Sequence, residues 1–185
     1  MKIYTKTGDG GQSCLYNGTR LSKTSDYFMA LGDLDELNAH LAMVRAMWHD
    51  EQHVNTEVYE WYSLGGMIAE IQQNIMDISS TIATPGSADR FFNPDWIKKI
   101  ESQIDRLDIL LPPLTKFVIP SGNKLCASVH IARAVCRRAE RRVIDVITPG
   151  CPSHIYINRL SDYLFMVSRF VCVVLKIQED LKNSN

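Results

Sequence analysis

The stretch H-I-A-R-A-V-C-R-R-A-E-R-R, residues 130–142, carries two stripes at helical spacing. Leu125, Val129, Ala132, Cys136, Ala139, Val143 and Val146 recur four and three apart, which puts them on one face of a helix that seeks a core. One residue along, Cys126, His130, Arg133, Arg137 and Glu140 form a second column beside that seam. Arg133, Arg137, Arg138, Arg141 and Arg142 fall within about three turns, with Glu140 and Asp145 as local counter-charges. A charged helix face is usually just solvated. Here no lysine shares the run, and planar guanidiniums favour two-point recognition of phosphate or carboxylate, so an anionic ligand is the working expectation.

The flanks extend the pattern. After Thr148-Pro149-Gly150, a last helix places Ile157, Leu160, Leu164, Val167, Val171 and Val174 on its core stripe and Asn158, Asp162, Phe165 and Arg169 beside it. That polar patch is either a buried network fixing register or part of a ligand site. Before residue 130, K-F-V-I-P-S-G-N holds Phe117, Val118 and Ile119 in a short extended run; the default is a core plug, the alternative a wall for a large apolar ligand.

Upstream, Ala30, Leu34, Leu37, Leu41 and Val44 define a helix from about Asp26 to Met47, with Ser25 available as its cap. Trp61, Leu64, Ile68, Ile71, Ile75, Ile78 and Ile82 form a regular second seam that Pro85-Gly86 ends. Asn93 as N-cap and Pro94 at the first helical position then open a helix through Ile97, Ile100, Ile104, Leu107 and Leu111, stopped by Pro112-Pro113. Five helices, short joints and no convincing strand predict a single all-α domain over residues 1–185, with a loop at 1–25 and a five-helix bundle at 26–182.

The loop contains T-K-T-G-D-G-G-Q-S, whose glycines let backbone N–H groups converge on a phosphate, although such a segment is more often a plain turn. It matches neither familiar nucleotide loop. Lys23 adds a mobile charge nearby. In G-D-L-D-E-L-N, Asp33, Asp35 and Glu36 suit a helix N-terminus, and Asp35 is equally a partner for an arginine of another subunit.

Composition narrows the class. A net charge of −1 with no basic tail argues against nucleic acid as partner. Five cysteines without C-x-x-C spacing read as small buried apolar groups in a reducing compartment. His40, His49, His53 and His154 lack metal-ligand spacing and read as surface or internally satisfied. No apolar run is long enough for a membrane span, so a cytoplasmic protein is expected.

The loop T-K-T-G-D-G-G-Q-S, the helix start G-D-L-D-E-L-N, F-V-I-P-S-G, H-I-A-R-A-V-C-R-R-A-E-R and Y-I-N-R-L-S-D-Y-L-F follow one another along nearly the whole chain. Together they resemble the ATP:cob(I)alamin adenosyltransferases of the propanediol-utilisation type. The resemblance implies a homotrimer with active sites between subunits, and transfer of the 5′-deoxyadenosyl group from ATP to cobalt, with release of triphosphate. It implies that Thr5, Thr7, Gly8, Gly11, Ser13 and Lys23 surround the triphosphate, that Mg²⁺ enters through the ATP phosphates, and that Arg137, Glu140 and Asn158 complete the nucleotide site. It pairs Asp35 with Arg133 across the interface and lines the corrinoid pocket with Phe117 and Phe165, Phe117 excluding the lower axial base. A reductase is an implied partner. Three positions depart from the usual pattern: Ser13 for threonine, Tyr27 for arginine, and Ser121 in P-S-G for P-G-G. Tyr27 and Ser121 are the support for an alternative, a corrinoid carrier or chaperone of the same fold with little turnover; a purely structural trimer is a third reading.

Overall fold

The computed structural model describes residues 3–51, 59–87 and 89–182. Its elements run β1 (Gln12–Cys14), β2 (Arg20–Ser22), α1 (Asp26–Asp50), α2 (Tyr59–Ile82), α3 (Asp95–Leu110), β3 (Val118–Ile119), α4 (Lys124–Val143), α5 (Pro152–Val174) and β4 (Asp180–Leu181). The five predicted helices are present, and all seven predicted seam residues of α2 are buried. Among the described residues no helix is long and apolar enough to cross a membrane.

Four short strands are present; β3 falls in the extended run read at 117–119, and the other three were not legible as strands. β1 and β2 form an antiparallel hairpin, and β3 pairs with β4, Val118 opposite Leu181 and Ile119 opposite Asp180. Runs of two or three residues cannot show alternation, so no periodic signal marks β1, β2 or β4. Ser25 stands at the N-cap position of α1, but its hydroxyl makes no cap bond. Asn93 does act at the start of α3, accepting from the Asp95 amide at 3.0 Å, while Pro94 is the cap residue and not the first helical one.

The core lies where α1, α2, α4 and α5 converge. α1 packs against α2 and α4, and α5 against α3 and α4. Ser128 donates to Met47 Sδ at 3.0 Å near one end, and Arg138 reaches Asp33 Oδ1 at 3.3 Å toward the other, so α1 and α4 run antiparallel. Trp61 stacks obliquely on Trp48 and Phe170, with ring centroids 6.3 and 6.5 Å away. The buried polar pair is satisfied: Asn74 Nδ2 donates to Tyr156 Oη at 3.0 Å, and burial pushes the Tyr156 phenol upward.

Candidate functional site

The two stripes of α4 separate on folding. Leu125, Val129, Ala132, Cys136, Ala139 and Val143 are all buried, as their spacing requires. The second column splits. Cys126 and His130 turn into the core, Arg133 and Glu140 are half-buried, and Arg137 is exposed. Among the described residues the Arg137 guanidinium makes no ion pair.

Arg138 meets different surroundings. It bonds to Glu36 and approaches Asp33, both on α1, and its hydrogen bond holds the Glu36 carboxyl below the usual carboxylate range. The counter-charge that the α4 sequence lacks is therefore supplied in part by the neighbouring helix. Asp33 and Glu36, three apart on α1, were a readable signal, but only once α1 and α4 are known to be antiparallel.

One turn beyond Arg137, Glu140 faces α5. Asn158 Nδ2 donates to Glu140 Oε1 at 2.6 Å, and Asn158 Oδ1 accepts from Arg159, which also donates to Glu101 at 3.0 Å. His154 belongs to this group, which the sequence did not indicate. Its Nδ1 accepts from the Gly150 amide at 2.9 Å, so the hydrogen of the neutral ring lies on Nε2, and that atom is 3.9 Å from Glu140 Oε1. The Asn158 bond fixes the Glu140 carboxylate and leaves Oε2 as an acceptor. His49 is exposed, His40 lies 3.9 Å from Glu36, and His53 is outside the described residues.

The N-terminal loop closes on itself. Gly11 N donates to Gly8 O at 3.2 Å, Lys23 N to Gly11 O at 2.9 Å, and Arg20 to Thr7 O at 3.0 Å; the Thr5 and Thr7 hydroxyls are 2.9 Å apart. Gly11 has φ of +77°, where a side chain is strained. A Cβ on Gly8 would stand 3.2 Å from Lys23 Nζ, so the bare glycine lets the ammonium lie against the loop. Ser13 lies in β1 opposite Leu21. These residues form one exposed or half-exposed cradle carrying a cation.

Phe117 is no core plug. It is 80 % exposed, and Ile119 is 47 % exposed, because among the described residues β3 pairs with β4 alone. Phe117 O accepts from Lys182 N at 2.8 Å, so the backbone is held while the phenyl ring stands in solvent. Phe165 on α5 is half-buried against the core. Arg169, in the same α5 column, is buried and structural, donating to Pro112 O at 2.8 Å and lying 3.4 Å from Glu179. Asp35 is exposed and makes no ion pair among the described residues, while Arg133 Nε is buried without a hydrogen-bond partner. Tyr27 lines a cavity of about 650 Å³ with Pro85, Val146, Pro149 and Cys151, at the bundle end where α1 and α5 begin; none of the predicted site residues lines it.

Comparison with known proteins supplies the family. The sequence model described as cobalamin adenosyltransferase matches residues 3–171. The human corrinoid adenosyltransferase MMAB is 36% identical over 194 residues, spanning 100% of this chain and 74% of the relative. PduO of Salmonella typhimurium, a corrinoid adenosyltransferase, is 35% identical over 176 residues, 91% of this chain and 49% of the relative. A variant of the PduO-type ATP:corrinoid adenosyltransferase of Lactobacillus reuteri, solved with cobalamin and ATP, superposes with a TM-score of 0.85 at 30% identity, covering 99% of this chain and 100% of that one.

Proposed function

This chain belongs to the cobalamin adenosyltransferase family, and from that membership we propose how its own residues carry the reaction. It is an ATP:corrinoid adenosyltransferase, moving the 5′-deoxyadenosyl group of ATP to the cobalt of cob(I)alamin and releasing triphosphate. The reduced cobalt is itself the nucleophile, so the protein needs no serine, cysteine or histidine base. Its work is to align C5′ and to stabilise the departing polyphosphate.

The observation that carries the assignment is on α4 and α5: an Arg137 guanidinium without an ion pair among the described residues, one turn from a Glu140 carboxylate fixed by Asn158 at 2.6 Å. Arg137 offers two-point contact to phosphate, and Glu140 Oε2 accepts from ribose hydroxyls. Thr5, Thr7, Gly8, Gly11, Ser13 and Lys23 hold the triphosphate, with Mg²⁺ carried by the phosphates themselves. Arg137 and Lys23 then neutralise the charge that builds up on the leaving group.

Phe117 and Phe165 face the corrinoid. A phenyl ring at Phe117 displaces the lower axial base, which removes the ligand that stabilises the oxidised cobalt and so favours its reduction by a partner reductase. We assign Asp35 and Arg133, which pair with nothing among the described residues, to one another across a homotrimer interface, which brings the cradle of one subunit to α4 of the next.

Anaerobic mixing with MgATP and chemically reduced cob(I)alamin tests the reading. Adenosylcobalamin and triphosphate in equal amounts, many times the protein present, are expected. Binding of both substrates without turnover would instead establish a carrier.

A further inference from the structure

Away from the nucleotide and corrinoid positions, two thiols lie in contact. Cys126 Sγ and Cys172 Sγ are 3.2 Å apart, and both residues are buried. Their meeting follows from the fold. Cys126 sits in the first turn of α4, its amide bonded by the Asn123 side chain at 2.9 Å, and Cys172 in the last turn of α5. Gly122, at φ of +97°, closes over the pair: a Cβ there would stand 2.8 Å from Cys126 Cβ and 3.4 Å from Cys172 Sγ.

The two sulfurs are not equivalent. The sulfur–sulfur contact holds the Cys126 thiol below its usual range and pushes Cys172 upward. Of the two, Cys126 gives up its proton the more readily and is the better placed to act as the nucleophile. The remaining cysteines differ: Cys136 is buried alone, and Cys14 and Cys151 are exposed or half-exposed.

We propose that Cys126 and Cys172 are a dithiol oxidation site, at which a peroxide generates an internal disulfide that staples the start of α4 to the end of α5. The Cys126 sulfur attacks the peroxide, its O–O bond breaks, and water leaves with formation of a sulfenic acid. The Cys172 sulfur displaces the hydroxyl as a second water, so two electrons pass from the thiols to the peroxide. Bonding requires the sulfurs to close by about 1 Å, to roughly 2.05 Å. The staple lies at the base of the β3–β4 ribbon: Phe117 and β3 lead into Cys126, β4 follows Cys172, and Lys182 N already bonds Phe117 O at 2.8 Å. Oxidation thus ties both roots of the ribbon that presents Phe117.

The test is to treat the reduced chain of residues 1–185 with hydrogen peroxide, alkylate it after denaturation, and map its peptides. The expected product is lighter than the reduced chain by two hydrogens and yields a Cys126–Cys172 peptide that dithiothreitol reverses. Its thermal midpoint rises by about 5 °C or more, and exchange of the Lys182 amide slows. Cys126→Ser and Cys172→Ser each lose the product, and the combined Cys14→Ser and Cys151→Ser variant keeps it. Recovery of Cys126 and Cys172 as alkylated thiols, or a link through Cys14 or Cys151, overturns the site. A disulfide with unchanged Lys182 exchange overturns its coupling to the ribbon. If a serine variant misfolds, the peptide map of the unmodified chain decides alone.

Discussion

Arg137 differs from Arg138 by a single step along α4 and faces a different environment. Arg138 is held by Asp33 and Glu36 of its own chain, whereas Arg137 has no acidic partner among the described residues. A cation held free of internal pairing is available to an incoming anion at no cost of breaking an existing contact. Arg137→Lys keeps the charge but loses the planar fork, at about 1.5–3 kcal/mol for a charge-assisted contact. The expected fall in kcat/KM for MgATP is about 10- to 150-fold, read in single-turnover and steady-state assays with cob(I)alamin. Unchanged kinetics would remove Arg137 from the site. Phe117→Ala is expected to leave ATP affinity intact, since the ring is 80 % exposed on an edge ribbon and holds no part of the core. Its loss falls on turnover from cob(II)alamin with a reductase, and far less on turnover from chemically prepared cob(I)alamin. Equal losses in both assays would count against the axial-ligand role.

At the scale of the element, α4 shows what a periodic pattern can and cannot disclose. The apolar seam was legible residue by residue because burial of a helix face leaves a repeat of three and four. The neighbouring column was not, because a stripe at the border of the seam is buried or exposed according to how the helix is rotated against α1 and α5. The spacing places His130 in a column with Arg133 and Arg137, yet it lies in the core with Nδ1 unpartnered among the described residues. Burial, and then the Arg133 charge, hold its imidazole below the ordinary value of 6.5. The unfolded chain therefore binds a proton that the folded chain refuses, and stability falls as pH drops through the unfolded value near 6.5, levelling off below the folded one. Urea unfolding at falling pH should show this loss, and His130→Gln should flatten the part of the slope between pH 7 and the folded value. The α1–α2 contact carries a second expectation. A Cβ on Gly65 would lie 2.2 Å from Trp48 Cζ3 and 2.7 Å from Cε3, inside any tolerable contact. Gly65→Ala must displace the indole, and overpacking of about 1–3 kcal/mol corresponds to a midpoint lower by about 2–12 °C. Calorimetry showing no change would mean that the two helices separate freely there. The Trp48–Gly65 fit was invisible in sequence, since neither the pairing of α1 with α2 nor its register is written in a single helix.

For the whole molecule, the N-terminal loop and the α4–α5 contact were each readable as a motif, but no local pattern states where one lies relative to the other or whether a second copy brings them together. Asp35 and Arg133 bear on that question. Asp35 is an exposed carboxylate without an ion pair among the described residues, and Arg133 keeps a buried Nε without a hydrogen-bond partner. A buried donor left unpaired costs about 1–3 kcal/mol, so a second copy that brings Asp35 to Arg133 relieves a defect the single chain retains. Breaking one member of such an interfacial pair typically costs about 2–5 kcal/mol. Light scattering should therefore give about three times the 21.0 kDa chain mass for the native protein. Asp35→Arg, which opposes two guanidiniums, should shift it towards single chains at micromolar concentration and abolish turnover while leaving the helical signal intact. Adding Arg133→Asp to that variant restores opposite charges in exchanged positions, and both the assembly and part of the activity should return. Recovery only in the double exchange ties the active site to the subunit boundary through this pair. A trimer that survives Asp35→Arg with full turnover would show that the two residues meet no partner copy, and would leave the unsatisfied Arg133 Nε of the described residues to be explained within one chain.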